Sequence, residues 1–168
     1  LTLIDGDVIQ PSNRNRQIIA LTSTETRLKA EALAERLKDI NPDCKLNVIP
    51  EYIRDERMLE ILKSEKYDYV VDAIDTLSPK VFLIYHSLQL GLKIVSSMGS
   101  CGKKDPEKIK IADISKSHTC PLAYMVRKRL HRLGIHKGFK VVFSPEEIPA
   151  NAMKEEISTN KRTTIGTI

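Results

Sequence analysis

Short apolar segments alternate with helical patterns over the first hundred residues of this chain. Apolar runs or alternations that are typical of strands occur at 1–5, 44–48, 69–74 and 92–96. Amphipathic patterns with a helical period separate them, at 22–40, 58–62 and 78–90. When a helix connects two consecutive strands, the second strand usually runs parallel to the first. The order therefore predicts an α/β fold built on a doubly wound, mostly parallel sheet.

Three local signals set the expected helix ends. Thr22 to Glu25 has the spacing of a capping box, which predicts a helix that begins after Thr22. Ser78 and Pro79 predict the start of a second helix, because proline is tolerated in a first turn. Gly91 is expected just beyond the end of that helix, where a left-handed backbone favours glycine.

The pattern changes after residue 98. Isoleucines at 109 and 111 alternate with lysines, which predicts an antiparallel strand with one solvated face. A helix is predicted over 121–134 and a last strand over 139–143, so the parallel sheet acquires an antiparallel extension. Residues 144–162 are polar, contain two prolines and show no periodicity, and they are predicted to form a mobile loop. We expect one domain over 1–168.

Composition excludes several classes of protein. Hydrophobic residues make up 41% of the chain and charged residues 29%, as in ordinary globular domains. No apolar run approaches the roughly 20 residues of a membrane span, and the first residues do not resemble a signal peptide. Three widely spaced cysteines without a Cys-x-x-Cys pair indicate neither a disulfide framework nor a zinc site. A reducing, cytoplasmic location is expected.

Positive charge is concentrated in one segment. The net charge of the chain is +5, yet residues 103–140 contain eleven Lys or Arg against three acids, a local +8. Such segregation favours a polyanionic partner. The alternative is a solvated basic face with no partner.

Charged side chains also follow the predicted strands. Asp5 ends the first strand, and in open α/β sheets an acid at that edge can hold ribose hydroxyls. Arg16 and Lys29 are spaced cations that suit a polyphosphate. Asp75 follows a later strand and suits Mg²⁺. Taken singly, each side chain is equally compatible with a turn, a cap or a surface ion pair; their combined spacing is the informative feature.

That spacing resembles the nucleotide site of the E1-like (ThiF/MoeB/HesA) superfamily. Its pattern has an acid ending the second strand, a Ser-Asn-x-x-Arg loop, a helix lysine and an aspartate beyond the fourth strand. The matching positions are Asp5, Asp7, Ser12, Asn13, Arg16, Lys29 and Asp75. The resemblance implies a Rossmann-like, E1-like adenylating domain that binds ATP through all seven positions.

The resemblance also implies roles for these residues. Arg16 and Lys29 supply catalytic cations, and Asp75 holds Mg²⁺. The first strand of the family and its Gly-x-Gly-Gly-x-Gly loop are expected to precede Leu1, and the natural protein is expected to extend at both ends. A polypeptide of only these 168 residues is then expected to bind ATP weakly. Homodimerisation is a further expectation carried over from the family.

Within the superfamily, later segments resemble the tRNA threonylcarbamoyladenosine dehydratase branch. These segments are 103–116, 120–123 and 141–147. The resemblance implies ATP-dependent cyclisation of the threonylcarbamoyl group on tRNA through carboxylate activation. The basic segment then becomes the tRNA surface. The residues expected to contact tRNA are Lys103, Lys104, Arg127, Lys128 and Arg132.

Two other functions stay open at this point. A sulfur-carrier adenylyltransferase of the ThiF/MoeB type has the same core, and sulfur-relay proteins are possible partners in either case. A degenerate adaptor that only binds a partner is the third option, which the joint presence of Arg16, Lys29 and Asp75 disfavours. Cys101 is expected to be a small buried residue and not a nucleophile.

Overall fold

The computed structural model of the chain describes residues 1–148, 153–155 and 162–164. The chain divides into two compact units, Leu1–Ile53 and Arg54–Ile168. The expected single domain over 1–168 stays a prediction.

The first unit is a parallel strand pair with a crossover helix. Strand β1 (Thr2–Ile4) pairs in parallel with β2 (Asn47–Ile49), and Leu3 lies opposite Val48. Helix α1 (Lys29–Ile40) connects the two strands and packs against both. Its small residues Ala30 and Ala32 are buried, which allows the helix to approach the strands closely.

Helix α1 begins at Lys29, so the prediction of a helix start after Thr22 is wrong. The Thr24 hydroxyl, at the end of a short 3-10 turn, accepts a hydrogen bond from the Leu21 backbone at 2.9 Å. Backbone N–H groups of Thr26 and Lys29 then donate to the carbonyls of Ile9 and Asp7 at 3.0 and 2.9 Å. These hydrogen bonds to the preceding segment replace the helical ones, so tertiary contacts override the capping signal.

The second unit contains a four-stranded mixed sheet. Its strands are β3 (Val70–Asp72), β4 (Ile94–Ser97), β5 (Lys110–Asp113) and β6 (Lys140–Phe143). Their order is β3-β4-β6-β5; β3, β4 and β6 are parallel, and β5 is antiparallel to β6. The helices are α2 (Asp55–Ser64), α3 (Leu77–Gln89) and α4 (Pro121–Arg132). The predicted mostly parallel α/β sheet with an antiparallel extension is confirmed.

Two further strands lie near the carboxyl terminus. Strand β7 (Met153–Glu155) pairs in antiparallel fashion with β8 (Arg162–Thr164). Strand β7 and the first residue of β8 fall within the loop predicted over 144–162, so that prediction is wrong for these residues. Residues 149–152 and 156–161 lie outside the described residues, and the mobility of the segment stays a prediction.

Helices α3 and α4 pack against each other. On α4 the buried residues are Ala123, Val126 and Leu130, whereas Met125 and Leu133 are 37% and 39% exposed. The buried face of α4 is therefore the one that carries the small residue Ala123. Gly91 has φ +69°, which confirms the predicted left-handed residue after α3.

Within the part of the chain that the structure describes, no helix is both long and apolar enough to span a bilayer. The three cysteines are free thiols, with Cys120 buried and Cys44 and Cys101 half-buried.

Gly6 lies where the loops after β1 and β2 meet. A Cβ at this position would sit 2.6 Å from the Tyr52 backbone nitrogen and 2.8 Å from the Glu51 carbonyl carbon. Backbone atoms cannot move aside as a flexible side-chain end can, so Gly6→Ala is expected to destabilise the protein by about 1–3 kcal/mol. Thermal unfolding of the intact protein measures the effect.

Gly99→Ala is a matched control for that variant. Its added Cβ would meet Leu122 and Cys120 side-chain atoms at 3.5 and 3.7 Å, which is ordinary van der Waals contact. Equal stability losses for the two variants would contradict the crowding assigned to Gly6.

Candidate functional site

Asp5 is the first residue of the loop that follows β1. The Asp5 backbone N–H donates to the Ile49 carbonyl at 3.3 Å and extends the β1–β2 pairing by one residue. Its carboxylate Oδ1 accepts from the Asp7 backbone N–H at 2.8 Å. Asp5 is therefore at the carboxyl end of a parallel strand, as predicted, and its carboxylate shapes the turn that carries Asp7.

Asp7, Lys29 and Tyr52 converge on that turn. The Lys29 ammonium lies 2.7 Å from the Asp7 carboxylate, and the Tyr52 hydroxyl donates a hydrogen bond to the other oxygen of the same group. The Lys29 side chain is only 12% exposed, whereas that of Asp7 is 49% exposed. The ion pair fixes the ammonium of the helix lysine beside the end of β1.

Tyr52 is a residue that sequence reasoning missed. It follows β2 on a loop that carries no motif, and it reaches Asp7 only because Gly6 allows the two loops to touch. Gly6 between two aspartates was the available signal, since a glycine there indicates a close backbone approach.

The predicted Ser-Asn-x-x-Arg loop is a compact turn. Asn13 is 7% exposed and its Oδ1 accepts from the Gln10 backbone N–H at 3.0 Å, so this side chain holds the turn together. Arg16 is exposed, and its guanidinium donates to the Ser12 carbonyl at 2.8 Å and to Asn15 Oδ1 at 2.9 Å. Ser12 and Arg16 are thus on the surface of the loop, and Asn13 is beneath it.

A buried polar cluster closes the carboxyl end of β3 in the second unit. The Asp72 carboxylate and the Lys80 ammonium are 2.8 Å apart, and both side chains are fully buried. The Ser96 hydroxyl donates to Asp72, which also accepts from the Ile74 backbone N–H at 3.0 Å. Burial lowers the pKa of Lys80, and the negative charge of Asp72 opposes that shift. Sequence analysis assigned no role to Asp72 or Lys80.

Asp75 lies three residues beyond Asp72, in the loop between β3 and α3. Its side chain is exposed. A solvent-facing carboxylate at the carboxyl end of a parallel strand matches the predicted position. Asp75 belongs to the second unit, and the other predicted nucleotide residues belong to the first.

Lys103 does not lie on the surface, so its assignment to a tRNA-binding face is wrong. The side chain is fully buried, and its ammonium donates to the Ser144 and Glu146 carbonyls at 2.8 and 2.5 Å. The Glu146 carboxylate in turn accepts from the backbone N–H groups of Asp105 and Lys104, both at 3.0 Å, which lowers its pKa. Lys103 therefore joins two loops, and only Lys104 of this pair is exposed.

The α4 cations divide in the same way. Arg127 is half-buried, and its guanidinium donates to the Ser117 carbonyl at 2.7 Å, which ties the helix to the preceding segment. Lys128 and Arg132 are exposed, as predicted, and so is Arg129. The ring of His131, near the end of α4, lies 4.6 Å from that of His136, which follows the helix. Lys128, Arg129 and Arg132 are thus the exposed Lys and Arg side chains of α4.

These features define the class of the protein. Parallel strands joined by crossover helices, with acids and cations at their carboxyl ends, are typical of Rossmann-like nucleotide-binding domains. The ThiF family profile matches residues 1–133. The chain belongs to the ThiF family.

Its relatives include a tRNA threonylcarbamoyladenosine dehydratase of Bacillus subtilis, 39% identical over 146 residues that cover 87% of this chain and 57% of the relative. The protein of the same name from Haemophilus influenzae is 41% identical over 132 residues, which cover 79% of this chain and 50% of that protein. The chain thus spans about half the length of these relatives.

A solved structure gives the same result. The chain aligns with the crystal structure of the Escherichia coli tRNA N6-threonylcarbamoyladenosine dehydratase TcdA in complex with ATP, with a TM-score of 0.85 and 36% sequence identity. The alignment covers 89% of this chain and 64% of the TcdA chain. The predicted E1-like fold is therefore confirmed.

Proposed function

We propose that the intact protein is an ATP-dependent tRNA threonylcarbamoyladenosine dehydratase. The observation that carries the proposal is the similarity to dehydratases over most of the chain, including one whose structure contains ATP. Asp5 and Asp75 support it, because each follows a parallel strand of its own unit and nucleotides bind outside the carboxyl ends of strands in open α/β sheets. Lys29, at the start of α1, supports it because its ion pair with Asp7 holds the ammonium beside the end of β1.

In this proposal the first unit binds ATP. Asp5 anchors the ribose through its carboxylate, and Arg16 presents an exposed guanidinium to the phosphates. Lys29 is held by Asp7 and can transfer its ammonium to phosphate oxygens when the nucleotide binds. Ser12 and Asn13 shape the loop that carries Arg16. Phosphoryl chemistry of this kind depends on charge neutralisation and alignment rather than on acid–base catalysis.

Asp75 is proposed as the Mg²⁺ ligand. Mg²⁺ in nucleotide sites is commonly held by one or two carboxylates together with substrate phosphates. The exposed Asp75 carboxylate fits that donor set. When bound, Mg²⁺ neutralises the negative charge on the phosphates.

The proposed reaction activates the threonyl carboxylate of the modified adenosine. The carboxylate oxygen attacks the α-phosphorus of ATP, pyrophosphate leaves, and an acyl-adenylate results. The ureido group of the same nucleoside then attacks the acyl carbon and AMP leaves, so the substrate loses one water overall. Because both groups belong to one molecule, proximity accelerates this step strongly.

The direct test uses the intact protein with tRNA carrying threonylcarbamoyladenosine and with ATP. Mass spectrometry of the released nucleosides is expected to show an ATP-dependent loss of one water from the modified adenosine. If the protein instead catalyses pyrophosphate exchange only with a small sulfur-carrier protein, the dehydratase proposal fails and the alternative replaces it.

Tyr52→Phe tests the contact that orients Asp7 and, through it, Lys29. Loss of one hydrogen bond of about 1 kcal/mol is expected to weaken ATP binding about fivefold, as measured by calorimetry on the intact protein. Tyr124→Phe, at a tyrosine that is 56% exposed on α4, is the matched control. Equal affinities for the wild type and Tyr52→Phe would show that Tyr52 does not position the lysine.

We further propose that the intact protein is a cytoplasmic homodimer and that sulfur-relay proteins are candidate partners. The family resemblance supports these proposals. Light scattering of the intact protein measures the oligomeric state.

A further inference from the structure

The buried cluster at the end of β3 holds both peptide groups of Ile74. The Ile74 N–H donates to Asp72 Oδ1 at 3.0 Å, and the Ile74 carbonyl accepts from the Lys80 ammonium at 2.7 Å. That carbonyl belongs to the peptide bond between Ile74 and Asp75. The backbone entering Asp75 is therefore fixed on both sides of Ile74 by two side chains.

The two side chains are themselves fixed. Lys80 extends from the first turn of α3, and its ammonium also contacts Asp72 Oδ2 at 2.8 Å. The Ser96 hydroxyl of the adjacent strand β4 donates to the same carboxylate oxygen. The cluster thus connects two strands, one helix and the loop between them, without solvent contact at Asp72 or Lys80.

Stability alone is a weak explanation for this arrangement. Replacing a buried ion pair by well-packed apolar residues is often neutral or stabilising, because the desolvation of both charges offsets their attraction. Burial does disfavour the charged form of Lys80, whose pKa is lowered. What an apolar pair could not supply is a donor for the Ile74 carbonyl, next to Asp75.

We propose that Lys80 is a positioning residue that acts on Asp75 through the Ile74 carbonyl, with Asp72 holding its ammonium in place. This inference rests on the proposed function, in which Asp75 binds Mg²⁺ with ATP. By fixing the peptide that leads into Asp75, Lys80 directs the Asp75 carboxylate toward the metal without touching metal or nucleotide.

The informative variant is the double substitution Asp72→Asn/Lys80→Met in the intact protein. Lys80→Met alone would leave a buried carboxylate without its cation and is expected to unfold the protein. The double variant removes both charges and keeps the side-chain volumes. An amide oxygen at position 72 can still accept from Ile74, so the specific loss is the donor to the Ile74 carbonyl.

Mg²⁺ titrations of ATP binding, followed by calorimetry, provide a readout that is independent of turnover. The double variant is expected to require about 10–100-fold more Mg²⁺ for half-maximal ATP binding, as is typical when a group that orients a metal ligand is lost. The turnover number should fall by a similar factor, while tRNA affinity stays at the wild-type value. Lys93→Met, at an exposed lysine before β4, controls for loss of a lysine.

Ser96→Ala separates the positioning role from general stability of the cluster. It removes one donor to Asp72 but leaves both hydrogen bonds to Ile74, so its Mg²⁺ dependence should match the wild type. A folded double variant with wild-type Mg²⁺ dependence overturns the positioning role, and so does a Ser96→Ala variant with the same shift as the double variant. A wild-type protein without ATP-dependent turnover would refute the proposed function itself, which is a different result.

Discussion

Asp75→Ala in the intact protein is expected to lower ATP-dependent turnover of modified tRNA about 10³-fold, the upper range for loss of one stabilising group in a transition state. The carboxylate is proposed to hold Mg²⁺, which neutralises phosphate charge as pyrophosphate leaves. The side chain of Asp75 is exposed, so the fold should be retained. Affinity for tRNA should stay close to wild type, because the basic surface on α4 is untouched.

Single-turnover measurements with saturating tRNA test this expectation, together with a binding assay on the same samples. Asp68→Ala is the matched control, since Asp68 is an exposed aspartate that precedes β3 in the same unit. Arg16→Ala and Lys29→Ala should also lower turnover without weakening tRNA binding. Near-normal cyclisation by Asp75→Ala would show that the metal role is wrongly assigned.

The order of strands and helices could be predicted from the sequence because its signals are local. Strand β5 illustrates this for its pairing, which is antiparallel as predicted. The predicted division into a solvated and a buried face is wrong, because Ile111 is 68% exposed and so is its neighbour Lys110. Gly91 likewise has the positive φ that its position after a helical pattern indicates. Such features depend on residues that are close in sequence.

The boundary of α1 could not be predicted, because distant hydrogen bonds decide it. Thr22 to Glu25 has the spacing of a capping box, yet the backbone from Thr26 to Lys29 pairs with the segment that follows β1. Local helix propensity predicts a helix boundary poorly when tertiary contacts provide the backbone groups with other hydrogen-bond partners.

The burial of Lys103 could not be predicted from the distribution of charge along the sequence. Counting lysines assigns every one of them to the surface, and for long charged side chains this is usually correct. Lys103 is buried because the carbonyls of Ser144 and Glu146, more than forty positions later, converge on its ammonium. No sequence pattern near Lys103 indicates that these two carbonyls contact its ammonium.

The candidate site was predictable at the residues that end strands and not at those that support them. Asp5, Lys29 and Asp75 match a family pattern, and the structure places Asp5 and Asp75 just beyond β1 and β3. Tyr52 and Lys80 match none, since each acts through a partner brought close by the fold.

Reversal of the exposed α4 cations Lys128, Arg129 and Arg132 to Glu is expected to weaken tRNA binding strongly. Each cation that neutralises a tRNA phosphate releases condensed counterions, so affinity falls by roughly 0.7–0.9 log units per log unit of salt for each contact. The triple variant is expected to lose on the order of 10²-fold in affinity at low salt. Its salt slope should be smaller than that of the wild type by about two to three.

Arg129 takes the place of Arg127 in this variant because the Arg127 guanidinium donates to the Ser117 carbonyl, and its reversal would disturb the fold. A control of equal charge change reverses the exposed lysines 45, 66 and 93, which lie outside the basic segment. If the α4 reversal binds tRNA with the slope and affinity of that control, general electrostatic attraction explains the binding. A weaker affinity and a flatter salt slope confined to the α4 variant would locate the tRNA contact on this helix. ATP binding serves as the control for an intact fold, and in both variants it should match the wild type.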